Sequence, residues 1–273
     1  MELRKATREK VALKIGMSGA SGFGKTYSAL LLAYGLTGDW SKIAVIDTEN
    51  ESASLYSDLG DFRTLNLCAP YSPERYIEAI KVCESAGVEC CIIDSISHEW
   101  EGSGGCLEIL ESLGGQFRDW AKLTPRHREF INKILQSKMH VITSVRRKQD
   151  YDMVKNDKGK VEPIKVGLKE ITREGFEYEL TVNFEFINDK HMVKCSKDRT
   201  RLFSGNPEFI ITTQTGIDLL NWSGRGEDYA LNLSQITDFE ELKVYYKSLS
   251  VANQNKYKDL VSELKEKLTP KNI

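Results

Sequence analysis

Eight residues near the amino end constrain this chain more than any others: Gly19-Ala20-Ser21-Gly22-Phe23-Gly24-Lys25-Thr26. They fit G-x-x-x-x-G-K-[ST], and their flanks fit as well. Residues 11–17 read as a strand, and residues 26–36 read as a buried helix closed by Gly38. Strand, glycine-rich turn and helix in that order make a cradle for polyphosphate. Gly19, Gly22 and Gly24 let the backbone curl so that successive N–H groups point inward, with Ala20, Ser21 and Phe23 supplying main chain between them. The helix N-terminus adds the positive end of its dipole. Lys25 is expected to reach the β- and γ-phosphates, and the Thr26 hydroxyl to ligate Mg²⁺. The competing explanation, an ordinary glycine-rich turn, does not account for the match at every fixed position and on both sides.

Three later strands end in polar groups. Residues 42–46 form a short apolar run that reads as a strand buried on both faces, and it ends in Asp47-Thr48-Glu49. In an open parallel α/β sheet, ligands sit outside the carboxyl ends of the strands. Glu49 is therefore the candidate base for an attacking water, with Asp47 as its competitor or supporting neighbour. Residues 88–93 lead into Asp94-Ser95, the hydrophobic-run-to-aspartate pattern of a Walker B strand, so Asp94 is expected to orient the metal that Thr26 binds. Residues 139–148 are a further strand, which places Thr143, Ser144 and Arg146 where a γ-phosphate sensor would lie. Between these, residues 62–68 are a weak strand, and a helix opens at Ser72-Pro73 and stops at Gly87.

The remaining stretches are less regular. Residues 97–115 are rich in glycine and read as a loop at the functional edge, with His98 or Glu99 as candidates to touch a substrate or simply as members of a polar loop. Helices are expected over 117–122 and 125–136. Residues 146–173 carry nine basic and five acidic side chains, a balance of +4 with Tyr151 and Pro163 interleaved, and read as a polar segment suited to a nucleic-acid backbone or simply to solvent. Residues 177–187 alternate as an amphipathic strand, with 191–195 as its hairpin partner. Lys197 and Arg199 follow on the rim of the sheet, where they are candidates for a finger reaching a neighbouring subunit's nucleotide or for intrachain ion pairs. A short strand at 209–212 and a helix at 215–222 precede two amphipathic helices, 238–248 and 253–268, suited to a protein partner. The expected division is residues 1–224 and 225–273.

Composition narrows the class. The formal net charge of −2 gives no global signal for nucleic acid, so any such binding must rest on local patches. Hydrophobic content of 40% and charged content of 29% suit a soluble globular protein. The six cysteines form no C-x-x-C pair and read as reduced core thiols without zinc-ligand spacing. No apolar run is long enough to span a membrane, and residues 1–5 lack the apolar core of a signal peptide, so a cytoplasmic location is expected, the host's if the origin is viral.

Taken together, the phosphate loop, a strand ending Asp-x-Glu, a strand ending Asp-Ser, a strand ending Thr-Ser-x-Arg and a late Lys-x-Arg form an ordered series. It resembles the RecA-like P-loop ATPases, and most of all the small phage-type recombination ATPases linked to single-strand annealing, over residues 8–215. The resemblance implies an α/β fold with a mainly parallel central sheet, an antiparallel hairpin extension and a small C-terminal helical appendage. It implies ATP and Mg²⁺ as cofactors, Glu49 as catalytic base, and Lys25, Asp94, Arg146, Lys197 and Arg199 as catalytic groups. It also implies single-stranded DNA as partner, bound near residues 99–115 and 150–165, and a homo-oligomer with a trans-acting Lys/Arg finger. Two features depart from that family: residues 97–115 are acidic rather than basic, and Thr143, Ser144 or Arg146 stands where a glutamine sensor is usual. A nucleotide-gated binding module with little turnover, a small-molecule kinase and a motor docked through its tail are the alternatives.

Overall fold

Three strands without an exposed residue organise the molecule: β1 (Lys14–Gly19), β2 (Ile43–Asp47) and, after the edge strand β3 (Arg63–Asn66), β4 (Cys90–Asp94). In β2 and β4 every side chain but the terminal aspartate is apolar, because helices cover both faces of a parallel sheet and leave no solvated side to demand alternation; β1 is equally buried but mixes Ile15 and Met17 with Lys14, Ser18 and two glycines. The computed structural model describes residues 11–155, 161–224, 233–249, 254 and 257–268, with main chain alone for 151–155, 161–166 and 248. The remaining strands are β5 (His140–Lys155), β6 (Val161–Glu170), β7 (Val182–Phe186), β8 (Met192–Asp198) and β9 (Phe209–Ile210). The sheet order is β3-β2-β4-β5-β1-β7-β8-β9, with β6 antiparallel on β5. Strands β3 to β7 along that path are parallel, and β8 and β9 add an antiparallel margin. This is the expected mixed α/β architecture.

The helices are α1 (Lys25–Thr37), α2 (Pro73–Ser85), α3 (Ser97–Glu101), α4 (Cys106–Ser112), α5 (Trp120–Gln136), α6 (Phe176–Glu179) and α7 (Thr213–Trp222). One core cluster joins Tyr76, Ile80 and Cys83 of α2 with Phe130 and Ile134 of α5 over Ile46, Ile93 and Val141 of the sheet. Each large apolar side chain so buried stabilises the fold by roughly 1.5–3 kcal/mol. Residues Ala12–Leu219 form one compact unit, and the residues from Leu220 onward belong to a second. In the latter, helices Phe239–Ser248 and Lys258–Leu268 enclose Leu242, Leu249 and Val261 with Leu233.

Four local expectations change. Residues 97–115 are not one loop: α3 and α4 occupy them, with Gly102, Gly104 and Gly105 at the break. Helices 117–122 and 125–136 are a 3-10 turn at Phe117–Asp119 running into one helix, α5, whose second turn accepts Pro125 at the cost of one backbone hydrogen bond. Residues 146–173 hold a long antiparallel ribbon of β5 and β6 rather than an irregular segment, apart from residues 156–160, which lie outside the described residues. The pattern was hidden because both faces of this ribbon carry polar groups and Pro163 argues against a strand. Residues 177–180 belong to the α6 turn opened by Gly175 at φ 90°, and β7 begins only at Val182.

Candidate nucleotide site

The carboxyl ends of four neighbouring strands line up. Asp47, Asp94, Ser144 and Met17 share one register level across β2, β4, β5 and β1, and Gly19 is level with Arg146. Because β5 lies between β1 and β4, its polar end is inserted between the phosphate loop and Asp94. A cleft of about 410 Å³ opens here, walled by Ser21, Gly22, Lys25, Thr26, Glu49 and Arg146 among others.

Gly24 shows why the loop sequence is so restricted. Its φ is 88°, in the left-handed region, and a Cβ there would lie 2.5 Å from His191 Nδ1. Helix α1 starts at the next residue without a side-chain cap, so its first N–H groups are free to serve an anion. Lys25 Nζ folds back onto the carbonyls of Gly19 and Ala20 at 3.0 and 2.8 Å. Burial lowers the Lys25 pKa, while Asp94 and Glu49 act in the opposite sense.

The Thr26 hydroxyl donates to Asp94 Oδ2 at 2.5 Å. Asp94 is buried, and its carboxyl is pushed up, first by burial and then by the charge of Glu49, against the hydrogen bond of Thr26. A carboxylate held among oxygen donors in so dry a place fits a hard divalent cation, which would favour its ionised form. The donor chemistry therefore fits Mg²⁺.

Asp47 and Glu49 separate clearly. Asp47 accepts from Glu49 N at 2.6 Å and from Ala53 N at 2.8 Å, so it fastens the turn at Ser52–Leu59. Glu49 faces the cleft, where its Oε1 accepts from Arg146 Nε at 2.7 Å. Burial pushes the Glu49 carboxyl up, but the Arg146 hydrogen bond and charge, with Lys25 and His98, outweigh it and hold the group below its ordinary value. Thr143 is fully buried and donates to Ile15 O, so it stands away from the cleft. His98 Nδ1 lies 2.8 Å from the Thr48 hydroxyl, and burial lowers its pKa. Glu99 is not at the edge at all: it is 1% exposed and accepts from His127 Nδ1 at 3.0 Å and from the Cys106 thiol at 3.1 Å.

A family model described as an AAA domain matches residues 12–209. The chain belongs to that family. The match supports a nucleotide-binding P-loop ATPase, and the matched region spans every strand but the last residue of β9. No curated protein matches the chain.

In this AAA domain, Lys197 and Arg199 stand apart from the cleft. Lys197 pairs with Asn183, which pairs with Gly16, leaving the phosphate loop ~10 Å further along the strand direction. Both cations donate to the Tyr178 carbonyl, Arg199 Nη2 at 2.7 Å. At that distance along the strand they stay clear of the cradle of the same chain. Three cleft residues escaped the sequence reading: Tyr27, Tyr56 and His191. Tyr27 was visible as the polar aromatic directly after Thr26. His191, with φ 62°, is brought over the loop only by the β7–β8 turn, where its Nδ1 donates to Phe23 O at 2.9 Å; nothing local in the sequence signals that. Tyr56 lies 5.7 Å from Tyr27, ring to ring. The thiols are mostly core groups as expected, though Cys68 is exposed and Cys195 half-buried. Among the described residues, no helix is long and apolar enough to cross a membrane.

Proposed function

We propose that this AAA domain hydrolyses ATP with Mg²⁺ and acts on single-stranded DNA in recombination or repair, as a RecA-like assembly of identical subunits. The observation that carries the reading is the row Glu49, Asp94 and Arg146 at the strand ends, gathered with Lys25 of α1 around one cleft. Backbone amides of the loop and Lys25 would hold the triphosphate. Thr26 and Asp94 would hold Mg²⁺, which supplies charge neutralisation at the phosphates when bound. Glu49 orients a water and takes its proton as the water oxygen bonds to the γ-phosphorus and the bond to the β-bridging oxygen breaks, leaving ADP and phosphate. Arg146 is suited to follow the γ-phosphate by exchanging its Glu49 contact for a phosphate oxygen.

The position of Lys197 and Arg199 supports action in trans, since a head-to-tail neighbour would present that end of its sheet to this cleft. The helices beyond residue 225 would then be free for a protein partner. The Glu49–Arg146 pair also favours a second reading, a nucleotide-gated module with slow turnover, because the base is already engaged. Steady-state phosphate release with and without single-stranded DNA, with particle size followed in the same samples, separates the two. DNA-stimulated release to water supports the enzyme and excludes a kinase. ATP binding without stimulated release supports the gated module. Turnover by Lys25→Ala would remove the cleft from consideration.

A further inference from the structure

A second concavity, of about 1000 Å³, lies between α3, α4, the start of α5 and the base of the β5–β6 ribbon. Its walls are aromatic. Trp100 and Trp120 stack at 6.0 Å with 28° between their planes, and the Arg173 guanidinium sits 6.0 Å from the Trp120 centroid. Phe117, at its edge, is 93% exposed, the largest exposure among the large apolar residues described.

Its charge is unbalanced in one direction. Lys148 is paired with Glu101 at 2.9 Å and Lys169 with Glu174 at 2.5 Å, so these four nearly cancel. Of the remaining charged groups lining the groove, Glu170 is the one acid, against Arg118, Arg128 and Arg173. The guanidinium groups of Arg118 and Arg128, both exposed, have no ion-pair or hydrogen-bond partner among the described residues. The exposed Phe117 ring and the half-buried tryptophan pair beside unpaired guanidinium groups, on a chain whose net charge is −2, match the chemistry of an unpaired polynucleotide: flat bases that stack and phosphates that need cations.

The floor is held in place from beneath. Glu99, His127 and Cys106 form a buried polar cluster that ties α3, α5 and α4 together, and Trp100 rests edge-on against His127 at 5.4 Å. The groove also adjoins the cleft. Arg146 and Lys148 are alternate residues of β5, hence on one side of it, while Arg147 points the other way to Glu185.

Resting on the single-strand reading given above, we propose that this groove is where the DNA strand binds, its bases stacked on Phe117 and the tryptophan pair and its phosphates held by Arg118 and Arg128. The test uses the full chain and a fluorescent oligo(dT), with anisotropy read across a salt series. The wild-type protein should bind, with its tryptophan emission quenched by the oligonucleotide, and should prefer it to a duplex of equal length. Arg118→Glu with Arg128→Glu should weaken binding at least tenfold and flatten the log–log salt slope by about 1.4, two phosphate contacts on a single strand. Phe117→Ala should weaken it roughly tenfold with little change in slope. Both variants change exposed side chains, and an unaltered thermal midpoint would verify that the fold is intact. If the wild type binds oligo(dT) but both variants bind equally well, the groove is wrong and the single-strand reading survives. If the wild type binds no single strand with or without ATP and Mg²⁺, both fall together.

Discussion

The nucleotide cleft and the aromatic groove differ in how their polar groups are kept. In the cleft almost every charge has a partner already: Lys25 has two loop carbonyls, Asp94 has Thr26, and Glu49 has Arg146. In the groove two arginines and a phenylalanine are left to solvent. Prior pairing suits a site that must select one charge state and time a reaction, because a ligand has to displace something specific. Open side chains suit a site that tolerates many similar ligands. The difference also has a structural origin, since the cleft is built on strand ends of a buried sheet and the groove on short helices and a ribbon.

The comparison can be broken most forcefully at Lys25. Lys25→Ala should reduce ATP turnover on the order of a thousandfold, read as phosphate release, and should leave oligo(dT) binding in the absence of nucleotide in place. Loss of both together would make the two sites one. Glu49→Gln should slow hydrolysis by about 10²–10⁴-fold while a fluorescent ATP analogue still binds; an unchanged rate would move the base elsewhere. Gly24→Ala should cost about 1–3 kcal/mol of stability in a denaturant melt, from left-handed backbone and the His191 collision together. Adding His191→Ala should recover only the collision, and full recovery would show that the backbone conformation carries no cost.

Smaller effects concern pH. In the wild type Arg146 helps to hold Glu49 below its ordinary pKa, so the acid limb of the rate profile lies below about pH 4.5. Arg146→Ala removes the hydrogen bond and leaves burial to act, so that limb should move to higher pH. A pH–rate profile in which it stays put would separate Arg146 from the base. The smallest effect lies far from both sites, at the Glu74–Arg126 pair, where the Arg126 hydrogen bond leads in holding Glu74 at about 2. A depressed carboxyl stabilises the fold above its unfolded pKa and loses that contribution as pH falls toward 2. Because the pair is half in solvent, Glu74→Gln should cost only about 0.5–1 kcal/mol at pH 7 and nothing measurable near pH 2.

How much of this was legible in the sequence follows the same division. The phosphate loop, Glu49, Asp94 and Arg146 each follow an apolar run, so a local pattern both makes the strand and puts the polar residue at its end. The parallel sheet could be read for the same reason. The groove could not, because Trp100, Phe117, Arg128, Lys148 and Arg173 come from α3, a 3-10 turn, α5, β5 and the loop after β6, whose meeting depends on packing. Residues 97–115 misled in a specific way: their glycines suggested one loop, whereas they are hinges between two short helices fastened by Glu99, Cys106 and His127, a cluster without any sequence spacing to announce it. Likewise β5 extends past Arg146 into a polar ribbon where hydrophobic alternation fades, so the strand's length was hidden although its core was plain.

That long strand has a thermodynamic consequence. Arg146 in the cleft and Lys148 at the groove are separated by one residue, ~6.6 Å of extended chain, with no turn or hinge between them. Whatever free energy a strand of DNA adds to or subtracts from ATP affinity through β5, ATP must return to DNA affinity by the same factor. For the two proposed ligands, titrations each run with the other saturating must therefore give one coupling constant, and its sign tells whether ATP and DNA favour the same arrangement of β5 or opposed ones.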